Sequence, residues 1–321
     1  VRVVVTGGAG YIGAHVVRLL ASRGDDVVIV DDLVTGVADR VAGAPIVELD
    51  LVSDRAADAL SVALRGADAV IHFAARKQVA ESVARPAWYY RQNVGSLAVV
   101  LEAMESAGVR RLVFSSSAAV YGATEGSRIR ETEPTVPVNP YGDTKLVGER
   151  MVAASVAAWG LTAVSLRYFN VAGAGWDELG DSAVLNLVPM VFERIDRGEP
   201  PIIFGDDYDT PDGTCIRDYI HVLDLAEAHV ATLDAMAQGA PRHDVFNVGT
   251  GRGYSVREMV EAIREHAGST VPAEVRPRRA GDPAVVVADP SAIRDTVGWV
   301  ARRGLDDIVT SAWSAHRFLS R

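Results

Sequence analysis

Thr6-Gly7-Gly8-Ala9-Gly10-Tyr11-Ile12-Gly13 is the stretch whose reading decides the fold. It follows a β-branched apolar run, residues 1–5, and leads into Val16, Val17, Leu19 and Leu20 at helical spacing. A second apolar run, residues 27–30, ends in Asp31-Asp32. Strand, glycine-rich turn, helix, strand and acid form one βαβ unit of about 30 residues, the pattern of a dinucleotide-binding unit. Glycines let the backbone come close to a pyrophosphate, whose charge then lies at the positive end of the helix. Asp31 closes the second strand, where a carboxylate accepts from both hydroxyls of the adenosine ribose. The same carboxylate repels a 2′-phosphate, so the expected cofactor is NAD.

The alternation continues outward from this unit. Residues 45–49, 67–73 and 112–115 read as further strands, with a helix around 97–107 before the last of them. Strands separated by helices imply a doubly wound parallel α/β sheet, with ligands at the carboxyl ends of the strands. Asp31, Asp50, Phe73-Ala74-Ala75 and Ser115-Ser116-Ser117 all fall at such ends. His72, inside an apolar strand, reads as a core histidine.

Composition narrows the partners. The 321 residues are 49% hydrophobic and 23% charged, ordinary values for a globular protein with a substantial core. The net charge of −10, with no basic run, argues against nucleic acid. The one cysteine, Cys215, forms no internal disulfide and fits a reducing compartment. No apolar run reaches the roughly 20 residues that span a bilayer, and no leader pattern opens the chain. The expectation is a cytoplasmic protein. Asp206, Asp207 and Asp209 lack histidines or an ordered ligand spacing, so no metal is expected.

Tyr141-Gly142-Asp143-Thr144-Lys145 carries a second signal. A tyrosine and a lysine four residues apart share one helix face, and Pro140 suits the first helical position. An ammonium beside a phenol favours phenolate and lowers the tyrosine pKa, so the pair points to proton transfer.

Residues 6–13, Ser115 to Gly122 (SSSAAVYG) and Tyr141 to Lys145 together resemble the extended short-chain dehydrogenase/reductases. Three longer stretches, residues 72–82, 166–170 and 204–222, are similar to members of that family that act on UDP-sugars. The resemblance runs from Val3 to about Trp313. It implies interconversion of UDP-galactose and UDP-glucose at C4 through a 4-keto intermediate, with tightly bound NAD. Carried over by position, it makes Tyr141 the base for the sugar 4-hydroxyl and Ser117 the hydroxyl bridging sugar and tyrosine. Lys145 would hold the nicotinamide ribose and lower the Tyr141 pKa. The implied NAD contacts are Gly7, Gly10, Tyr11, Ile12, Gly13, Asp31, Asp32, Asp50, Leu51, Phe73, Ala74, Lys77, Asn93, Ser115, Tyr141, Lys145 and Phe169.

After Asn170 the βα alternation breaks down, and residues 173–182 and 199–214 read as long, binding-type loops. The expected division is residues 1–169 for NAD and 170–321 mainly for the UDP-sugar, in a smaller mixed α/β unit, with about 216–230 returning to the first. The resemblance assigns Asn170, Asn186, Leu187, Phe204, Arg217, Tyr219, Arg279 and Asp282 to UDP, and Ser117 and Tyr141 to the sugar. Arginine suits a diphosphate through paired charged hydrogen bonds, and Asp282 suits ribose hydroxyls. Residues 86–107 and 141–159 carry apolar faces that, in the family, pair across a two-fold axis, so a homodimer is implied.

Two departures shape the expected chemistry. The dehydratase relatives place an Asp-Glu pair after the catalytic hydroxyl, whereas Ala118-Ala119 stand here and can act as neither acid nor base. Val286 stands where a bulky tyrosine restricts the pocket beside the sugar C2, which leaves room for an N-acetyl group. Epimerisation of UDP-glucuronate or a UDP-pentose, a net nucleotide-sugar oxidoreductase, and a non-catalytic NAD sensor remain alternatives. Net NADH production marks the oxidoreductase, and activity indifferent to Tyr141 marks the sensor.

Overall fold

Alternate side chains of the first strand enter two different cores. In Arg2–Thr6, Val3 and Val5 join one cluster and Val4 the other, all fully buried. A strand covered on both faces must be apolar throughout, as this one is. The computed structural model describes residues 1–123, 128–279 and 281–321. It places this strand inside a seven-stranded sheet ordered His243–Val248, Thr162–Tyr168, Arg111–Ser115, Ala69–His72, Arg2–Thr6, Asp26–Asp31 and Ile46–Glu48. Every neighbouring pair is parallel.

Parallel strands need crossover helices, and these cover both faces. Tyr11–Ser22 and Val222–Ala237 pack on one face through Val16, Val17, Leu20, Leu225 and Leu233. Ala56–Ala63, Ser96–Ala107 and Pro140–Trp159 pack on the other through Leu60, Leu97, Met104 and Val152. The strand order reverses beside Arg2–Thr6, which opens a crevice between the carboxyl ends of that strand and Ala69–His72. Gly7 lies in this crevice at φ +70°, where a Cβ would stand 2.6 Å from the Ala74 backbone nitrogen. Only glycine suits such a position.

A smaller sheet forms the second unit. Ile216–His221 is its centre, antiparallel to Gly253–Ser255 and parallel to Val285–Val286 and Asn170–Ala172. Ile202–Phe204 and Glu274–Arg276 pair separately. Its own core gathers Phe192, Ile203, Tyr219, Met259, Val260, Ile263 and Ile308. The chain returns to the large sheet through Val222–Ala237 and His243–Val248, while Ile216–His221 stays with the small one.

Two further stretches differ from the sequence reading. Residues 86–107 form Pro86–Tyr90 and Ser96–Ala107 joined by a π-helical turn, Arg91–Gly95, a rare geometry that re-aims side chains. Residues 173–182, expected to be a binding loop, instead strap the second unit to the glycine-turn helix. The Tyr11 hydroxyl donates to the Gly173 carbonyl at 2.5 Å, Gly175 N–H donates to His15 Nε2 at 2.9 Å, and Arg18 pairs with Glu178. Arg40 completes the strap through the Gly180 carbonyl at 2.7 Å.

Candidate active site

The glycine turn ends where Tyr11–Ser22 begins. Its N-cap is Gly10, with no capping side chain and no acid in the first turn. The first amides of a helix have no intrahelical partner, so this end presents positive, donor-rich backbone. A Cβ on Gly13 would collide with the Gly7 carbonyl, which explains glycine there by packing. The Asp31 carboxylate is buried and accepts from Ala9 N–H and Leu33 N–H, both at 3.0 Å. Burial raises its pKa and the two amides oppose that shift. Each oxygen has further lone pairs available for hydroxyl donors. An uncapped helix start and a fixed carboxylate at the next strand end fit NAD. Leu51, Phe73 and Ala74 pack around this region in the two large cores, and Asp50 and Lys77 are exposed.

Other expected cofactor residues have protein partners. The Tyr11 ring is held by the strap, its hydroxyl donating to the Gly173 carbonyl. Asn93 sits in the π-helical turn and is buried. Its Oδ1 accepts from Arg76 N–H at 2.7 Å, and its Nδ2 donates to the Arg76 carbonyl and to Thr144 Oγ1, both at 3.0 Å. Asn93 thereby ties the turn after Ala69–His72 to the helix that carries Tyr141. Arg76, which the sequence reading passed over, pairs with Asp32 at 2.5 Å and lies over Trp88. His72 is a core histidine: it bonds Thr6 Oγ1 at 2.7 Å, and burial pushes its pKa down to about 3.

Pro140–Trp159 brings the reactive groups together. Asn139 Oδ1 caps it by accepting from Gly142 N–H at 2.9 Å, and Pro140 occupies its first turn. A Cβ on Gly142 would lie 2.5 Å from the Ala119 carbonyl, so glycine lets this turn dock against the loop after Ser117. Tyr141 and Ser117 are both half-buried. Burial raises the Tyr141 pKa, and a side-chain hydrogen bond with Ser117 opposes the rise. Lys145 is buried and donates to the Ser115 carbonyl at 2.7 Å, with its Nζ over the Phe114 ring. Burial lowers its pKa to about 8, against the charge of Glu149. Lys145 thus engages a backbone carbonyl, and burial sets the direction of the Tyr141 shift. Ser115 Oγ meets the half-buried Tyr168 hydroxyl, and Phe169 packs in a cluster with Val120, Tyr121 and Leu146.

The small sheet supplies the facing residues through its register. Asn170 pairs with Tyr219, and both Val286 and Tyr254 pair with Arg217. Arg217 reaches Asp282 at 3.7 Å, and the Arg279 guanidinium stacks 3.9 Å from the centre of the Phe204 ring. Five of the assigned residues thus form two adjoining groups, one around Arg217 and one around Phe204. Asn186 precedes Leu187–Asp196 without capping it through its side chain, which instead donates to Asp181 at 2.7 Å. Tyr219 is buried, which raises its pKa. Val286 and Ala288 pack with Ala118 and Tyr121, which joins the small sheet to the serine turn. Asp218, also missed, is fully buried and accepts from Thr250, Gly251 and Ala288, fixing the strand that bears Arg217 and Tyr219. Asp207 bonds Arg278 at 2.5 Å, and among the described residues no group of His, Cys, Asp and Glu is placed to hold a metal. A cavity of about 340 Å³ lies elsewhere, between Leu187–Asp196 and Leu305–Leu319; of the expected residues only Tyr11 lines it.

Residues 3–249 match the NAD dependent epimerase/dehydratase family, and the chain belongs to it. Within that family it is similar to UDP-glucose 4-epimerases. It is 47% identical to the UDP-glucose 4-epimerase of Azospirillum brasilense, over 100% of this chain and 93% of that protein. The structure of UDP-glucose 4-epimerase from Brucella ovis in complex with NAD superposes with a TM-score of 0.93 at 42% identity, covering 99% of this chain and 98% of that one. The UDP-Glc/GlcNAc 4-epimerase of Campylobacter jejuni follows at 0.85 and 35%, covering 99% of each chain.

Proposed function

We propose that the chain is an NAD-dependent UDP-glucose 4-epimerase that interconverts UDP-galactose and UDP-glucose. The observation that carries the reading is the convergence at the carboxyl end of Arg111–Ser115: the helix that bears Tyr141 docks there through Lys145, which donates to the Ser115 carbonyl at 2.7 Å, and the turn after Ser117 packs against a small sheet that presents Arg217. NAD supplies the reversible hydride acceptor at C4 and one positive charge. Tyr141 takes the proton of the 4-hydroxyl, because a hydride cannot leave that carbon until its oxygen is losing a proton. Ser117 bridges the two oxygens and orients the transfer. Lys145, held by Ser115, faces the ribose and keeps a positive charge near the phenol. Arg217 and Arg279 bind the diphosphate, Phe204 packs beside uracil, and Asp282 accepts from the ribose. Ala118-Ala119 offer no acid or base for water loss, which argues against dehydration.

Conversion of UDP-galactose to UDP-glucose by the purified protein, with no added cofactor and no net NADH, is the expected result. NADH formed in proportion to product would replace this reading with a net oxidoreductase. A second substrate class is favoured by Val286, a small side chain on the strand that pairs with Arg217. It leaves room for UDP-N-acetylhexosamines. The reading extends to a cytoplasmic homodimer joined through residues 86–107 and 141–159, for which sedimentation should give twice the chain mass.

A further inference from the structure

Behind the serine turn lies a buried ionic network that the proposed reaction does not name. Glu149 is one helical turn beyond Lys145 and is 8% exposed. Its carboxylate accepts from Ser116 Oγ at 2.5 Å, from Arg167 Nε at 2.8 Å and from Arg167 Nη2 at 2.6 Å. Arg167 also donates to the Tyr121 hydroxyl at 2.9 Å, and Tyr121 donates to Asn247 at 2.7 Å. A buried ion pair is weak evidence for stability, because desolvation offsets its attraction. Its place here suggests another use. Ser116 stands between Ser115, whose carbonyl holds Lys145, and Ser117, the hydroxyl proposed to act with Tyr141.

We propose that Glu149 is a positioning residue for the reaction: bonded to Ser116, it pins the serine turn and keeps the Lys145 ammonium charged, with no need of Arg167 for either. The inference rests on the epimerase reading for its kinetic consequence, but not for its electrostatics. Lys145 is faced by Tyr141 and Glu149 from its own helix and by His72 from Ala69–His72. Phe114 and the Ser115 carbonyl face it from Arg111–Ser115, and Tyr168 and Arg167 lie on Thr162–Tyr168. His72 is neutral, since burial holds its pKa near 3, and burial also raises the pKa values of Tyr141 and Tyr168. Glu149 is the acid whose charge opposes the desolvation of Lys145.

The sequence provides a direct readout, because its two lysines are Lys77 and Lys145. Lysine labelled with ¹³C at Cε therefore gives two resonances, with exposed Lys77 as internal reference. In NAD-loaded Glu149→Gln the Lys145 midpoint should fall by about one pH unit, and the alkaline limb of kcat should move down with it. Arg167→Met, which breaks the same pair but leaves the carboxylate, should not lower either. If a single variant fails to fold, Glu149→Gln/Arg167→Met removes both charges together and should show the same fall. An unchanged Lys145 midpoint in Glu149→Gln, or an equal fall in Arg167→Met, overturns the proposal. A wild-type protein without epimerase activity would sink the functional reading instead, and the resonance titration would still decide the role of Glu149.

Discussion

On the large-sheet side of the site, Lys145, Asn93 and Asp31 are buried and already bonded to protein. On the small-sheet side, Arg279 and Asp282 are exposed, and Arg217 reaches its acid only at 3.7 Å. The difference follows from where each wall comes from. Strand ends of a doubly covered sheet carry their side chains into two packed cores, so each polar group there needs a partner or loses stability. The second wall is built from short paired strands and connecting loops, where charges stay hydrated until a ligand displaces water. Under the proposed function, the first wall is the one set for chemistry before substrate arrives and the second is the clamp. The proposal therefore assigns kcat to the first wall and KM to the second.

The largest test of that contrast is Tyr141→Phe. Loss of the phenol should lower kcat by about 10³-fold, within the range for a general base, while UDP binding stays intact. Calorimetry with UDP on the variant checks the second half. Weakened UDP binding would mean that the large-sheet wall also serves as clamp.

Acid should strike the large-sheet side next. Burial lowers the pKa values of His15, His221 and His229 to about 4 and of His72 to about 3. The folded protein therefore holds these rings neutral where an unfolded chain protonates them. Their contribution is complete above the unfolded pKa of about 6.5 and is lost as pH falls toward 4. Each ring contributes on the order of 3 kcal/mol across that window. Three of the four belong to the large-sheet side. Tm should drop steeply between pH 6.5 and 4.5, and His229→Leu, whose buried Nε2 has no hydrogen-bond partner among the described residues, should flatten the drop. A Tm independent of pH in that range would break the account.

The two walls were also unequally legible. The first strand, the glycine turn and Asp31 follow from a period of two, a tight turn and a charge at a strand end, all of them local signals. Pro140 and Asn139 mark a helix start in the same way. What local signals could not give was the partner of each polar group. The contacts of Lys145 with Ser115, Asn93 with Thr144 and Arg167 with Glu149 join residues 18 to 51 positions apart. Glu149, at four residues from Lys145, was accessible to the same helical spacing that singled out Tyr141. Residues 173–182 looked like a binding loop because glycines and acids suit one, and His15 and Arg18 as their destination had no local mark. On the second wall, residue identities came through resemblance, and the register that puts Asn170 beside Tyr219 and Val286 beside Arg217 came only with the fold.

A smaller effect separates clamp from chemistry. Arg279→Ala removes an exposed guanidinium that stacks on Phe204 and that the proposed function places against the diphosphate. KM for UDP-galactose should rise about 10- to 100-fold, the loss expected for one charge-assisted contact, with kcat within a factor of about two. A matching fall in kcat would show that the clamp also aligns the sugar for transfer.

The smallest expected effect sharpens the contrast most, because it concerns the seam between the walls. Val286 pairs in register with Arg217 yet packs with Ala118 and Tyr121, so it belongs to the clamp by sequence and borders the serine turn in space. Val286→Tyr adds a ring at that seam. The bulk should lower kcat/KM for UDP-N-acetylgalactosamine by about 10-fold or more, since an overfilled pocket costs on the order of 1–3 kcal/mol. UDP-galactose, which has only a hydroxyl at C2, should change by less than about threefold, a fraction of that cost. Steady-state rates on the two substrates, compared as a ratio, give the answer. A ratio unmoved by the ring would mean that Val286 does not border C2, and the substrate would then lie deeper against the large sheet than the register of the small one suggests.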